Sequence, residues 1–341
     1  MLKPLSGVKI IEIEGLGPAP FCGQFLHELG ADVTLVKRPS KAPAMPVPPL
    51  VERGKTMITL DLKTDEGRSA LKNMIKEADG LIEGMRPGVM EKLGLGPADL
   101  VGLNSALIYG RVTGWGQDGP LSQTAGHDIN YAALSGALWY SGQPGQPPIA
   151  SPSLLADIGG GALYLMIGIL SALLHARATG EGQVIDAAMI DGSAHMMNLL
   201  LTLMPYGQLK EARGQSLLDG PHWYNSYACK DGQFITIGSL EPQFYALLLE
   251  KLELADDAEF QAQMKAKNWP ELTRRLDRIF KTKTQDQWCE IMEGTDVCFA
   301  PILSPMKAAE HPHIKARGIY TEEHGGLRAA RAPRFSPLKP S

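Results

Sequence analysis

Cysteine is scarce in this chain. Four of 341 residues are Cys (Cys22, Cys229, Cys289, Cys298), and none form a CxxC pair. That removes support for a zinc site or a disulfide framework, and it fits a reducing, cytoplasmic setting. No excess of positive charge is present either. The formal net charge is −4, so nothing points to a nucleic-acid partner. No secretory leader is read at the amino end, which opens almost directly on a strand-like run. Long apolar runs are nearly absent, with residues 154–176 as the exception. That run carries Asp157, the triplet Gly159-Gly160-Gly161 and His175. A charge and three glycines are costly in lipid, so the expectation is a buried helix of a large core and no membrane insertion. What remains is ordinary soluble material, 44% hydrophobic and 21% charged, long enough for two domains.

The pattern along the first half is α/β. Residues 8–13 are an apolar run, Gly15-Leu16-Gly17-Pro18 is a turn, 21–29 has helical spacing up to Gly30, and 33–36 is the next strand. This is a βαβ unit and implies parallel strands. The alternation recurs with a strand at 56–62, a helix capped by Thr64 and running to 78, and a strand at 80–83. Short helices at 89–93 and 98–103 and a strand at 107–112 follow. Helices are expected at 129–139, 155–174 and 192–203, with a strand at 184–187. The overall expectation is a large, mainly parallel sheet domain. Residues 205–220 are polar and mixed, like a linker. A smaller α+β unit then opens with a hairpin, 224–229 and 233–237, around Lys230-Asp231-Gly232. Helices at 241–252, 269–281 and 285–292 and a strand at 298–303 complete it. The basic, Pro-containing tail after Gly325 reads as a surface wrap.

The first turn lacks the marks of a dinucleotide site. Pro20 stands where the third glycine belongs, and the second strand ends on Lys37 and Arg38 rather than an acidic residue. Two cations suit phosphate, although a solvated strand end reads equally well. Lys63 and Arg86 follow the next two strands, and Lys92 lies one turn beyond Arg86. Ligands of open parallel sheets sit outside the carboxyl ends of strands, so these cations favour a ligand with several phosphates, such as coenzyme A or a nucleotide.

Two further segments carry acid/base groups. His127 stands just before a helix, where the dipole favours the neutral, proton-accepting imidazole. Taken alone it also reads as a capping or packing histidine. Asp157 opens the long apolar helix, where an N-cap role accounts for it equally well. The three glycines after it cost about 1 kcal/mol each relative to Ala. They suggest close approach of a ligand or another backbone, or N–H groups free to hold an oxyanion. Glu241 stands in the first turn of a helix in the second unit, an ordinary place for a charge.

Seven ordered segments resemble the α-methylacyl-CoA racemases of the family III CoA-transferase superfamily. They are Arg38-Pro39-Ser40, Leu60-Asp61-Leu62-Lys63, Gly84-Met85-Arg86-Pro87-Gly88, Gly126-His127-Asp128-Ile129-Asn130-Tyr131, Asp157-Ile158-Gly159-Gly160-Gly161, the run 182–189, and Leu240-Glu241-Pro242-Gln243-Phe244-Tyr245. The resemblance spans residues 4 to about 337. It implies an interlocked homodimer whose subunits each have a large Rossmann-like domain, 1–204 rejoined by 318–341, and a smaller domain, 223–305. Linkers at 205–222 and 306–317 connect them. The active site is then shared between the large domain of one subunit and the small domain of the other.

The resemblance also implies roles. His127 and Asp157 are the catalytic pair, with Glu241 assisting. Arg38, Leu60, Asp61, Leu62, Lys63, Gly84, Met85, Arg86, Lys92, Gly126, Asp128, Ile129, Asn130 and Tyr131 contact the coenzyme A substrate. Lys92 departs from the racemase pattern, which has Arg there, and it loses the bidentate fork. No metal and no separate cofactor are expected, because coenzyme A is part of the substrate. The implied reaction is interconversion of (2R)- and (2S)-2-methylacyl-CoA through an enolate, with two bases on opposite faces of C2. Backbone N–H groups near Asp157 are the expected holders of the enolate oxygen. The alternative is a CoA-transferase in which Asp157 attacks the thioester and is acylated. A histidine at position 127 favours the racemase.

Overall fold

A computed structural model describes residues 2–39, 52–323 and 325–338. Ser40, one of the residues of the resemblance, lies outside them. The chain divides into two compact units, one of Met1–Trp139, Pro148–Leu199 and Arg334–Ser341, the other of Tyr140–Pro147 and Leu200–Pro333. The expected linker at 205–222 and residues 318–333 count with the second unit, and 334–341 with the first. Tyr140–Pro147 also counts with the second unit, because the Arg213 guanidinium donates to the carbonyls of Ser141, Gln143 and Gln146 at 3.2, 2.8 and 2.6 Å.

The first unit is built on six strands: β1 (Lys9–Ile13), β2 (Asp32–Lys37), β3 (Thr56–Thr59), β4 (Gly80–Glu83), β5 (Ile108–Thr113) and β6 (Val184–Ala188). Every pairing is parallel, and the order is β3-β2-β1-β4-β5-β6, that of a Rossmann sheet. The parallel α/β expectation therefore holds. β4 and β5 are buried along their whole length, which is why they lack polar alternation. Successive residues supply opposite faces. Ile10 and Ile82 pack with Leu26, Leu165 and Ile169, while Ile11 and Leu81 pack with Leu71, Ile75 and Met90.

Helix α1 (Pro18–Glu28) follows β1, and α2 (Asp65–Ile75) follows β3. Thr64 caps α2 as expected, accepting the Gly67 N–H at 3.1 Å. The short α3 (Val89–Lys92) and α4 (Pro97–Leu100) lie between β4 and β5. Between β5 and β6 come α5 (Asp128–Leu134), a nine-residue π-helix (Leu154–Ala162) and its continuation α6 (Leu163–Thr179). After β6, α7 (Met189–Met196) and α8 (Asn198–Leu201) replace the single helix expected there.

Two expectations about the long apolar helix change. Asp157 is not its N-cap: the helix begins three residues earlier, after Ser153 in the left-handed region (φ +53°). Nor is the helix buried all round within this chain. Leu165, Ile169 and Leu173 are buried, but Leu174 is 72% exposed and Ile167 57%.

In the second unit, β7 (Tyr224–Ala228), β8 (Phe234–Gly238) and β9 (Phe299–Ile302) form an antiparallel sheet. It is backed by α9 (Pro242–Lys251), α10 (Ala258–Gln261), α11 (Trp269–Phe280) and α12 (Gln285–Met292). Trp223, Tyr227, Ile235, Leu248, Leu272, Phe280 and Trp288 make its core. Beyond α13 (Pro305–Glu310) and α14 (Pro312–Arg317), β10 (Tyr320–Glu323) pairs antiparallel with β11 (Gly326–Ala329). The start of the tail is thus a strand, not only a surface wrap.

Candidate active site

Because the six strands are parallel, their carboxyl ends lie along one edge, the edge at which such sheets bind ligands. β2 delivers Lys37 and Arg38 there, β3 delivers Leu60–Lys63, β1 the Gly15–Gly17 turn, and β4 the Gly84–Arg86 loop. The two cations after β2 divide their work. Lys37 Nζ is 2.6 Å from Glu52 and is committed to that pair. The Arg38 side chain is mostly exposed and leans 3.3 Å from Glu14. Lys63, Arg86 and Lys92 are exposed. The Leu60–Lys63 turn is closed by Asp61, whose carboxylate accepts the Lys63 N–H at 3.0 Å.

A buried ionic network holds the β4 loop. Glu83 accepts the Met85 N–H at 2.7 Å and Arg111 Nε at 2.8 Å, and Arg111 also bonds Glu91 at 2.7 Å. Burial holds the Glu83 carboxyl above the usual carboxylate range, against the pull of Met85 and Arg111. Glu83 and Arg111 escaped the sequence reading. Their signal was a charge of each sign inside two otherwise apolar strands.

His127 is the N-cap of α5 and its backbone N–H donates to Asn130 Oδ1 at 3.0 Å. Its imidazole is exposed. The next residue, Asp128, is buried, and its Oδ1 accepts the N–H groups of Ala156 and Asp157 at 2.7 and 2.8 Å. Two orphan donors of the π-helix are thereby satisfied by a side chain 28 or 29 residues away. Backbone N–H groups near Asp157 are the expected holders of an enolate oxygen, and these two are engaged by Asp128. Asp128 in turn spends this oxygen on backbone.

Burial raises the Asp157 carboxyl above its ordinary range. The Asp128 carboxylate pushes it the same way, and His127 pulls it down. His127 is therefore near enough to act on the Asp157 carboxyl. The β1–α1 turn walls the carboxylate on another side: a Cβ at Gly17 would lie 3.6 Å from Asp157 Oδ2. Tyr131 is raised by burial and by Asp157. It packs edge-on against Trp115, ring centroids 4.8 Å apart, and is seated by two glycines. A Cβ at Gly114 would fall 2.1 Å from its ring and one at Gly126 2.7 Å. A cavity of about 490 Å³ lined by Trp115, Ala125, Asn130, Ala133 and Leu134 adjoins this segment.

Of the three glycines after Asp157, Gly160 faces another backbone, while Gly159 and Gly161 face the Met196 and Met189 side chains. A Cβ at Gly160 would lie 2.7 Å from the Met189 carbonyl, and one at Gly192 would lie 1.9 Å from the Gly160 carbonyl. They let α7 approach the π-helix at backbone distance. Glu241 belongs to the second unit, where it is the N-cap of α9, and its charge raises Cys298 together with burial. No group of His, Cys, Asp and Glu suited to a metal ion occurs among the described residues.

Comparison with known proteins agrees with this architecture. The sequence profile described as CoA-transferase family III matches residues 5–339. The chain is 42% identical to α-methylacyl-CoA racemase of Mus musculus over 335 residues, covering 98% of this chain and 86% of that protein. It is 41% identical to the racemase of the same name from Homo sapiens, with the same coverage. Among solved structures, a CAIB/BAIF family protein from Brucella suis superposes with a TM-score of 0.81. It shares 29% identity and covers 98% of this chain and 93% of its own. A Rossmann-ordered sheet, a cationic carboxyl edge and a profile match over nearly the whole chain lead to one conclusion: this protein belongs to CoA-transferase family III.

Proposed function

We propose that this protein is an α-methylacyl-CoA racemase, interconverting (2R)- and (2S)-2-methylacyl-CoA. The observation that carries the reading is a carboxyl, Asp157, set between the Gly17 turn and His127, in a chain 41–42% identical to two racemases. Arg38, Lys63, Arg86 and Lys92 supply charge for the phosphates of coenzyme A, while the Leu60–Lys63, Gly84–Arg86 and Gly126–Tyr131 segments line its path.

The chemistry follows from the pair. The C2 proton of a thioester is a weak acid, so its removal needs a positioned base and a site that favours the enolate. His127 in its neutral form takes the proton from one face. Asp157, whose burial favours its protonated form, returns a proton to the other face. In the reverse direction the Asp157 carboxylate takes the proton and the imidazolium returns one. The amino-terminal end of the π-helix adds partial positive charge where the enolate forms. The scheme needs no cofactor.

Glu241 assists as a neighbour of His127, and it is supplied by the second copy in an interlocked homodimer. The uncovered apolar side chains Ile167, Leu174, Leu199 and Tyr206 favour such a partner and are poorly suited to water.

Incubation with a 2-methylacyl-CoA in D₂O, with no acceptor acid, tests the reading. Deuterium at C2 is the expected result. An acyl adduct at Asp157 trapped by hydroxylamine, without C2 deuteration, overturns it in favour of a CoA-transferase.

A further inference from the structure

The two groups of the pair lie on different elements, and something must set their separation. His127 ends the loop before α5, and Asp157 stands in the first turn of the π-helix. Asp128 joins them. It is covalently next to His127, it is buried, and its Oδ1 accepts the backbone N–H of both Ala156 and Asp157 at 2.7 and 2.8 Å. Such charge-assisted bonds to backbone N–H groups are short and strong. They fix the peptide that carries Asp157 relative to the peptide that carries His127.

We propose that Asp128 is the positioning residue of this site: its carboxylate is a strut that holds the two proton-transfer groups at a fixed separation on either side of the substrate carbon. The proposal rests on the racemase reading and deepens it. It also changes what Asp128 is for, because the resemblance implied a contact with coenzyme A. A contact residue acts on binding. A strut acts on the chemical step, where a displacement of about 1 Å costs about 10²-fold.

Surrounding charges give a second handle. The titratable groups that act on Asp157 are Asp128 and His127, both from the α5 segment, and Tyr131 on the same helix feels Asp157 in return. The β1–α1 turn contributes the Gly17 backbone, and α7 presents Met189 and Ser193 to the glycines of the π-helix. Removing the Asp128 charge takes away one of the two influences that raise Asp157. The pH limb that reports Asp157 must then move to lower pH.

The test compares wild type, Asp128→Asn and Asp128→Ala by deuterium wash-in at C2 of a 2-methylacyl-CoA across a pH series. Asn keeps the volume and one acceptor for the two N–H groups but carries no charge. The expected result is a kcat lower by about tenfold in D128N and about 10²-fold in D128A, with KM within about twofold of wild type. The acidic limb of the D128N profile shifts to lower pH. A KM that rises while kcat and the limb stay put assigns Asp128 to coenzyme A and overturns the proposal, and so does a D128N enzyme that matches wild type throughout. Should D128A fail to fold, D128N alone decides. If wild type itself incorporates no deuterium, it is the racemase reading that fails. In that case acylation of Asp157 by the same thioester, read by hydroxylamine trapping, must fall in D128N for the strut to stand.

Discussion

At the scale of single residues, the strongest departure from ordinary burial is Glu12 on β1. Its side chain and that of Lys55 are both fully buried, 2.6 Å apart, and Lys55 also donates to the Pro20 carbonyl at 3.2 Å. Gly23 has to be glycine beside them, because a Cβ there would sit 1.8 Å from Glu12 Oε2. The pair fastens the first turn of α1, which follows the Gly17 turn beside Asp157. Burial outweighs the attraction of Lys55 and pushes Glu12 up to about 7, from an ordinary 4.5. The sign follows from proton binding. The folded state holds this proton more tightly than the unfolded chain does. The stability it contributes is therefore fully present below pH 4.5 and is lost as pH rises through about 7. Between those limits the wild type loses stability that Glu12→Gln does not. Urea unfolding of both proteins at several pH values measures the difference, and parallel curves refute it. Glu12 is hidden in a sequence reading that takes residues 8–13 as an apolar run. Its partner Lys55, 43 residues away, is hidden as well.

At the scale of elements, local signals were legible and distant ones were not. A strand is expected at 80–83 and β4 spans Gly80–Glu83, with Leu81 and Ile82 as its apolar signal. Thr64 caps α2, as its place before that helix predicts. The π-helix was not legible. Its cap comes from Asp128, remote in sequence, so a reading confined to neighbours can offer only Asp157 as a cap. The glycine triplet suggests close approach by a ligand or another backbone, and at Gly160 it is the backbone of α7 that approaches, while Gly159 and Gly161 meet methionine side chains. The break between α7 and α8, and the pairing of β10 with β11, likewise depend on contacts the local pattern does not encode. The cationic strand ends were legible as phosphate-binding candidates. That Lys37 is already engaged by Glu52 was not.

At the scale of the whole molecule, the apolar residues left uncovered on α6 and α8 favour a dimer. Sedimentation at about twice 36.8 kDa is the expected result, and a stable 36.8 kDa species with full activity contradicts it. The molecule's work, on this account, is to place two proton-transfer groups on opposite faces of one carbon. The most direct measurement is deuterium exchange from each pure C2 epimer by His127→Ala and by Asp157→Ala. Each variant retains one base. Each should therefore exchange the α-proton of one epimer without racemising it, and the two variants should act on opposite epimers. Loss of exchange from the same epimer in both variants, or continued racemisation by either one, contradicts the two-base account.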